Sequence, residues 1–198
     1  FITFGSFNNP AKINNQVIHL WAEVLKSVSG SRLLFKYKNW YNEASLHDRL
    51  INEFATCGIE KDRIDFIASL ETSEEHLKQY AKVDIALDPF PFSGATTTFE
   101  ALWMGVPVVT LAGETFISRM SGSMLQQVGL GDLALDTQKS YVAAAKKLAS
   151  DHVRLRTLRK ELREHVKASL ICDPLAYSQS VEDAYRSMWA TWCHQTDK

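Results

Sequence analysis

Cysteine is scarce in this sequence and follows no recognisable spacing. Cys57, Cys172 and Cys193 are far apart and odd in number, and no Cys-x-x-Cys occurs. A disulfide framework and a zinc site are therefore not expected, and no metal ligand set is predicted. A reducing, cytoplasmic compartment fits this cysteine usage better than an extracellular one.

A strong charge of one sign is also lacking. The 22 Lys and Arg residues nearly balance the 23 Asp and Glu residues, and the net charge is −1. Bulk electrostatics therefore give no reason to expect a nucleic-acid partner. The densest basic run, residues 154–163, carries leucines at helical spacing and predicts an amphipathic helix. No apolar run is long enough to span a bilayer and no signal peptide is visible, so no membrane partner is expected.

Several common catalytic motifs are missing. The sequence has no Ser-His-Asp set, paired-carboxylate motif, Walker loop or Gly-x-Gly-x-x-Gly, and no convincing general base. It also has no internal repeat, low-complexity tract or linker, so residues 1–198 are expected to form a single lobe. The chain opens on Phe1-Ile2-Thr3-Phe4, a pattern typical of a core strand, and we expect a piece of a longer polypeptide.

What the sequence does have is a regular alternation of strand and helix patterns. Apolar runs predict strands at 1–7, 32–37, 63–67, 83–87, 105–111 and 132–135. Helical patterns occur at 15–28, 45–57, 96–104, 118–128, 138–149, 152–170 and 175–193, and another begins with Ser73 as its N-cap. This alternation predicts an α/β fold, a Rossmann-like parallel sheet with helices on both faces and extra C-terminal helices. Active loops in such sheets lie at the carboxyl ends of the strands.

The segment from Asp88 to Glu100 joins the fourth predicted strand to the next helix and reads Asp-Pro-Phe-Pro-Phe-Ser-Gly-Ala-Thr-Thr-Thr-Phe-Glu. Gly94 and three threonines therefore lie at a helix N-terminus, where free N–H groups and the helix dipole attract an anion. Glu100 lies one turn beyond Thr96, within reach of a ribose diol. The pattern predicts a nucleotide-diphosphate site. A capped helix after a turn is the alternative, since threonine is common at N-caps.

Further loops at the same edge of the sheet offer polar groups. Asn9 and Lys12 follow the first strand, where a lysine can neutralise a diphosphate; the alternative is a surface lysine beside a helix start. Residues 68–72 follow the third strand and could hold a base, with His76 stacking on it, although a lone histidine is more often surface or core filler. Arg119, after the fifth strand, could assist an anion, with a salt bridge or helix packing as the alternative.

Taken together, these loops resemble one family. The motifs are Phe4-Gly5-Ser6-Phe7-Asn8-Asn9-x-x-Lys12, Leu87-Asp88-Pro89-Phe90-Pro91, Gly94-x-Thr96-Thr97, Leu102-Trp103-Met104-Gly105-Val106-Pro107-Val108-Val109-Thr110 and Gly113-Glu114-Thr115-x-x-Ser118-Arg119. In this order, and over nearly the whole chain, they are similar to the C-terminal catalytic lobe of the O-GlcNAc transferase and SPINDLY family. The resemblance implies a GT-B glycosyltransferase with two Rossmann-like lobes, of which this one holds the nucleotide sugar.

The same resemblance implies roles for the residues of the loops. Lys12 contacts the diphosphate and is the catalytic residue of this lobe, as the stabiliser of the leaving group. Asn9 stands where the family often has Gln, and its reach is shorter. Thr96 and Thr97 hold phosphate, whereas Ala95 replaces a histidine of the animal enzymes and offers only its backbone N–H.

The remaining implied contacts are to the nucleoside and to other parts of the protein. Glu100 binds the ribose and His76 lies by the base; the loop before His76 is one residue longer than the family pattern, so its base contacts are not assigned. The implied partners are a protein acceptor and the N-terminal lobe and tetratricopeptide repeats of the same polypeptide. Residues 1–198 contain neither that lobe nor those repeats, so this lobe is expected to be inactive alone.

The implied reaction moves a sugar, GlcNAc from UDP-GlcNAc in the first place, to protein Ser or Thr hydroxyls, with no cofactor or metal besides the donor. GDP-fucose-dependent protein O-fucosyltransferases share these motifs and are one alternative. A nucleotide-sugar epimerase lobe is a second, but it needs acid–base groups that the sequence does not place. A non-catalytic nucleotide-binding module is the third, and the combined presence of Lys12, Thr96, Thr97 and Glu100 argues against it.

Overall fold

The computed structural model describes residues 1–67 and 72–196. Within them, six parallel strands form one sheet in the order β3-β2-β1-β4-β5-β6. The strands are β1 (Thr3–Ser6), β2 (Arg32–Lys36), β3 (Ile64–Ile67), β4 (Ile85–Leu87), β5 (Val108–Leu111) and β6 (Ala134–Leu135). The α-helices are α1 (Asn15–Ser27), α2 (Ala44–Thr56), α3 (Ser73–Lys78), α4 (Thr96–Trp103), α5 (Phe116–Gln127), α6 (Gln138–Ser150), α7 (His152–Ala168) and α8 (Pro174–Thr196). This architecture confirms the predicted α/β fold.

The order of the strands reverses at β1, in the centre of the sheet. From β1 the chain runs outward through β2 to β3, and then crosses back to pair β4 with the other side of β1. Open α/β sheets bind ligands at such a switch point, outside the carboxyl ends of the strands. The loops that follow β1 and β4 meet at this point.

Helices cover both faces of the sheet. On one face α1 contacts α2 and α6, and on the other α4 contacts α5 and α7. Helix α1 buries a stripe that includes Val17, Trp21 and Val24, and burying each such side chain contributes roughly 2 kcal/mol or more. The indole N–H of Trp21 donates a hydrogen bond of 3.2 Å to the hydroxyl of Tyr141 on α6, so the two helices are joined inside the core.

The basic run at 154–163 lies in α7 and confirms the predicted amphipathic helix. Leu158 and Leu162 are buried. The guanidinium of Arg159 donates to the backbone carbonyls of Tyr80 and Met104, each at 3.2 Å. This run therefore packs the helix against the lobe. In the part of the chain that the structure describes, no helix is both long and apolar enough to cross a membrane.

Four predicted helix starts are wrong by one or two residues, and α2 and α8 each begin one residue early, at Ala44 and Pro174. The N-cap of α3 is Thr72 and not Ser73, because Thr72 forms a capping box with Glu75: its hydroxyl accepts from the Glu75 N–H at 3.2 Å, and the Glu75 carboxylate accepts from the Thr72 N–H at 3.1 Å. Helix α5 begins at Phe116, two residues before the predicted start, with Thr115 as its N-cap. Residues 68–71 of the predicted base-binding loop lie outside the described residues.

Candidate functional site

An open cleft of about 790 Å³ lies at the carboxyl edge of the sheet. Its walls come from the segments that follow β1 and β4, from the end of β2, and from the start of α3. The cleft is lined by all seven residues that the sequence analysis assigned to the site, Asn9, Lys12, His76, Ala95, Thr96, Thr97 and Glu100. Arg119 is exposed and does not line it.

The N-terminus of α4 opens into this cleft without a side-chain cap. Its N-cap residue is Ala95, which has no acceptor in its side chain. The hydroxyl of Thr97 is engaged elsewhere, because it donates to the Oδ1 atom of Asn8, after β1, at 2.9 Å. The alternative of a threonine-capped helix is therefore wrong, and an uncapped helix start of this kind favours an anion.

Lys12 is half-buried at the edge of the cleft. Its Nζ atom donates to the backbone carbonyl of Ser93 at 2.9 Å and lies 4.1 Å from the centre of the Phe92 ring. Burial lowers the pKa of Lys12, and the negative charge of Asp88 opposes that shift. These contacts aim the cation at the loop before α4, which a freely solvated surface lysine would not do.

The side chain of Asn9 has a local partner. Its Oδ1 atom accepts a hydrogen bond of 2.9 Å from the N–H of Ala11 and caps the short 3₁₀ turn Pro10–Lys12. The turn places Lys12 at its end, so Asn9 holds the segment that carries the lysine. Its side-chain amide nitrogen is the group that can donate towards a ligand.

Asp88 lies beneath the cleft and orders the loop before α4. Its side chain is 1% exposed. One carboxylate oxygen accepts from the Gly94 N–H at 2.8 Å and the other from the Thr110 hydroxyl on β5 at 2.7 Å. Burial raises the pKa of Asp88 to about 6, against the opposing effects of its hydrogen bonds and of the Lys12 charge. Sequence reasoning missed this role, although an acid directly after a buried strand needs buried partners.

Because Asp88 is buried with a raised pKa, the free energy of unfolding of the chain is expected to depend on pH. Its native pKa of about 6 lies above the value of roughly 3.9 for an exposed aspartate, so the folded chain binds this proton more tightly than the unfolded chain. Its contribution to the free energy of unfolding is therefore largest below about pH 4 and falls as the pH rises to about 6, by up to roughly 3 kcal/mol.

Urea unfolding of the unsubstituted chain and of Asp88→Asn between about pH 4 and pH 8 measures this effect. Asparagine keeps the shape but does not titrate, and the pH dependence of all other groups cancels in the difference. The stability of the unsubstituted chain relative to Asp88→Asn should fall up to about pH 6 and then stay level. A difference that does not change with pH would contradict a buried Asp88 that binds its proton more tightly in the folded chain.

His76 and Glu100 form a second polar cluster on the wall of the cleft. The Nε2 atom of His76 lies 2.9 Å from Oε2 of Glu100. The hydroxyl of Tyr80 shares its proton between the same oxygen and the Thr97 carbonyl, each at 3.2 Å. The Nζ atom of Lys36, at the end of β2, contacts the other ring nitrogen of His76, Nδ1. The predicted base and ribose residues are therefore in direct contact, and the sequence pattern gave no sign of the partners Lys36 and Tyr80.

Comparisons with known proteins identify the family and the fold. The profile of glycosyl transferase family 41 matches residues 1–181. A curated relative from Hordeum vulgare, "Probable UDP-N-acetylglucosamine--peptide N-acetylglucosaminyltransferase SPINDLY", is 42% identical over 193 residues, which are 98% of this chain and 20% of the relative. "UDP-N-acetylglucosamine--peptide N-acetylglucosaminyltransferase" of Caenorhabditis elegans is 28% identical and matches 95% of this chain and 16% of its own length. The chain thus spans 20% of the length of the first relative and 16% of the second.

Solved structures give the same result at the level of the fold. A mutant of the O-GlcNAc transferase of Thermobaculum terrenum superimposes with a TM-score of 0.89 at 34% identity, over 99% of this chain and 37% of that one. The C-terminal domain of the group 1 glycosyl transferase LpcC from Francisella tularensis superimposes with a TM-score of 0.60 at 14% identity, over 84% of each chain. The second likeness shows the fold alone.

Proposed function

This chain belongs to glycosyl transferase family 41, and we propose that it is the lobe that binds the nucleotide-sugar donor of a protein glycosyltransferase. The observation that carries the proposal is that the seven residues assigned from the sequence line one cleft at the switch point of the sheet. The cleft combines a half-buried cation, an uncapped helix start and a carboxylate. A nucleoside diphosphate presents the complementary groups, namely phosphates and a ribose diol.

In the proposed complex, the diphosphate lies between Lys12 and the N-terminus of α4. The backbone N–H groups of Ala95, Thr96 and Thr97 face the phosphates along the helix dipole. Lys12 adds a full positive charge next to them and stabilises the diphosphate as it leaves, when its negative charge increases. Glu100 accepts hydrogen bonds from the ribose hydroxyls, and His76 lies beside the base.

The proposed reaction transfers the sugar to the hydroxyl of a protein Ser or Thr. The bond between the anomeric carbon and the phosphate oxygen breaks, a bond from that carbon to the acceptor oxygen forms, and the hydroxyl proton leaves to a base. His76 and Glu100 are engaged with each other, so neither is a suitable base for this step. We propose that the base and the acceptor site come from the N-terminal lobe of a longer polypeptide, which acts in the cytoplasm.

Calorimetric titration of the chain with UDP-GlcNAc, GDP-fucose, UDP, GDP and ADP tests this proposal. We expect binding of UDP-GlcNAc and UDP in preference to the other nucleotides. Preferential binding of GDP-fucose and GDP would identify the donor as a GDP-sugar and the protein as a fucosyltransferase. Equal binding of all five nucleotides would contradict a dedicated donor-binding lobe. So would a failure to bind any of them at about millimolar concentration, because a Kd of about 1 mM already means a weak binding free energy of about −4 kcal/mol.

A further inference from the structure

Lys36 is a buried cation beside the cleft with no assigned role. It is the last residue of β2, its side chain is 5% exposed, and its ammonium group meets the Nδ1 atom of His76. Burial lowers the pKa of Lys36, and the negative charge of Glu100 opposes that shift. A charge held in so little water needs a specific partner, and here the partner is an imidazole ring.

We propose that Lys36 is a positioning residue that fixes the proton of His76 on Nε2 and so orients Glu100 towards the ribose of the donor. The inference rests on the proposed function for the identity of the ligand. In this proposal Lys36 needs no contact with the reacting atoms or the phosphates, although it lines the same cleft. It acts through His76 and then through Glu100.

The donor and acceptor chemistry of the three side chains leads to this assignment. An ammonium group has three donors and no acceptor, so the His76 Nδ1 atom that meets Lys36 must accept. A neutral imidazole that accepts at Nδ1 carries its proton on Nε2. That N–H points at Oε2 of Glu100, 2.9 Å away, and donates to it.

The consequence for Glu100 is that its two oxygens are not equivalent. Both hydrogen bonds that it accepts from described residues, from His76 and from the Tyr80 hydroxyl, fall on Oε2. Oε1 therefore remains for the hydroxyls of a ligand in the cleft. If the His76 proton moved to Nδ1, the lone pair of Nε2 would face the carboxylate, and the resulting repulsion would turn Glu100 away.

The position of the His76 ring does not depend on Lys36 alone. The ring of Phe7, at the end of β1, lies with its centre 5.9 Å from that of His76, and the Tyr80 ring lies 5.8 Å away at a steep angle. These contacts hold the imidazole against the wall of the cleft. Removing the ammonium group should therefore change the ring proton while the ring stays in place.

Nitrogen NMR of the histidine rings at neutral pH tests the first half of the proposal. The unsubstituted chain should show His76 with a proton on Nε2 and none on Nδ1. Lys36→Met, which keeps the length and burial of the side chain but removes the donor at Nδ1, should let part of the population carry a proton on Nδ1. Lys36→Arg supplies another cation without an acceptor and should restore the Nε2 proton. Lys26→Met, an exposed lysine of α1 outside the cleft, serves as the control and should change nothing. An unchanged His76 signal in Lys36→Met would overturn the inference.

Binding of UDP and of 2′-deoxy-UDP tests the second half. The unsubstituted chain should prefer UDP by about tenfold or more, because a hydrogen bond to a charged group is lost with the hydroxyl. Lys36→Met should reduce that preference towards unity, and Lys36→Arg should retain it. A preference that survives in Lys36→Met overturns the proposed orientation of Glu100. Failure of the unsubstituted chain to bind any nucleotide would count against the proposed function instead, and the NMR result would still decide the role of Lys36.

Discussion

Replacement of Lys12 by alanine is expected to lower kcat of the complete transferase by about 100-fold or more. The Nζ atom of Lys12 lies beside the loop that leads into α4, held by the Ser93 carbonyl and the Phe92 ring. In the proposed complex, its charge would interact most strongly with the diphosphate at the moment when that group leaves. The substitution removes the charge from a half-buried position where water replaces it poorly, so the effect falls on the chemical step.

The same substitution should change the fold little. Its structural cost is one hydrogen bond to a carbonyl, about 1 kcal/mol, and the contact of the ammonium group with the Phe92 ring, about 0.5–1 kcal/mol. Thermal unfolding of the substituted chain measures this cost. Lys26→Ala removes a lysine of the same charge from the exposed side of α1 and is the matched control for rate and stability. Removal of an electrostatic stabiliser typically lowers kcat by about 100-fold or more. If kcat of Lys12→Ala instead stays within about twofold of the control, Lys12 has no role at the leaving group.

Gly94→Ala is expected to lower nucleotide affinity by about 100-fold, because it displaces the groups that are proposed to bind the nucleotide. A Cβ atom at this position would overlap the Thr98 hydroxyl and lie 2.9 Å from Oδ1 of Asp88. Neither group can move freely, since the Thr98 hydroxyl is buried and bonded to Ser121 at 2.7 Å, and Asp88 is fixed by its own bonds. The loop must shift instead, and overpacking of this kind destabilises a fold by about 1–3 kcal/mol.

Gly122→Ala is the control for this substitution. Gly122 lies inside α5, where an added Cβ would meet only the Cβ of Ala134, at an ordinary distance of 3.5 Å. Alanine favours the helix over glycine by up to about 1 kcal/mol, so stability should hold or rise and nucleotide binding should not change. Equal affinities for Gly94→Ala and Gly122→Ala would show that the loop before α4 does not bind the nucleotide.

The strand–helix alternation of this fold was predictable because each element carries its own apolar periodicity. The first and last residues of each strand were less predictable, because pairing with neighbouring strands decides where a strand begins and ends. The apolar run at 83–87, for example, contains only three residues of β4, Ile85–Leu87. Val83 lies before the strand and is buried under Gly5 of β1, where a larger residue would collide with it. That contact joins residues far apart in sequence, and no local pattern reveals it.

At the site, too, features encoded locally in the sequence were predictable, whereas roles that depend on distant residues were not. The loops after β1 and β4 were found because the sequence places glycine, hydroxyl and amide side chains directly after apolar strands. Asp88, Lys36 and Tyr80 were missed because their roles come from partners elsewhere in the chain: Thr110 for Asp88, and His76 and Glu100 for the other two. The roles of the site residues towards a ligand stay predictions.

The hydrogen bonds beneath the cleft also bear on the entropy of ligand binding. Residues 88–94 are joined to β5 through Asp88 and Thr110, and to α5 through the Ser93 hydroxyl, which donates to the Ile117 carbonyl at 2.7 Å. A loop that is already fixed in the free chain loses little conformational freedom when a ligand arrives. A phosphate at the start of α4 would therefore meet amide groups that are already oriented, and most of the disorder lost on binding would be that of the nucleotide itself.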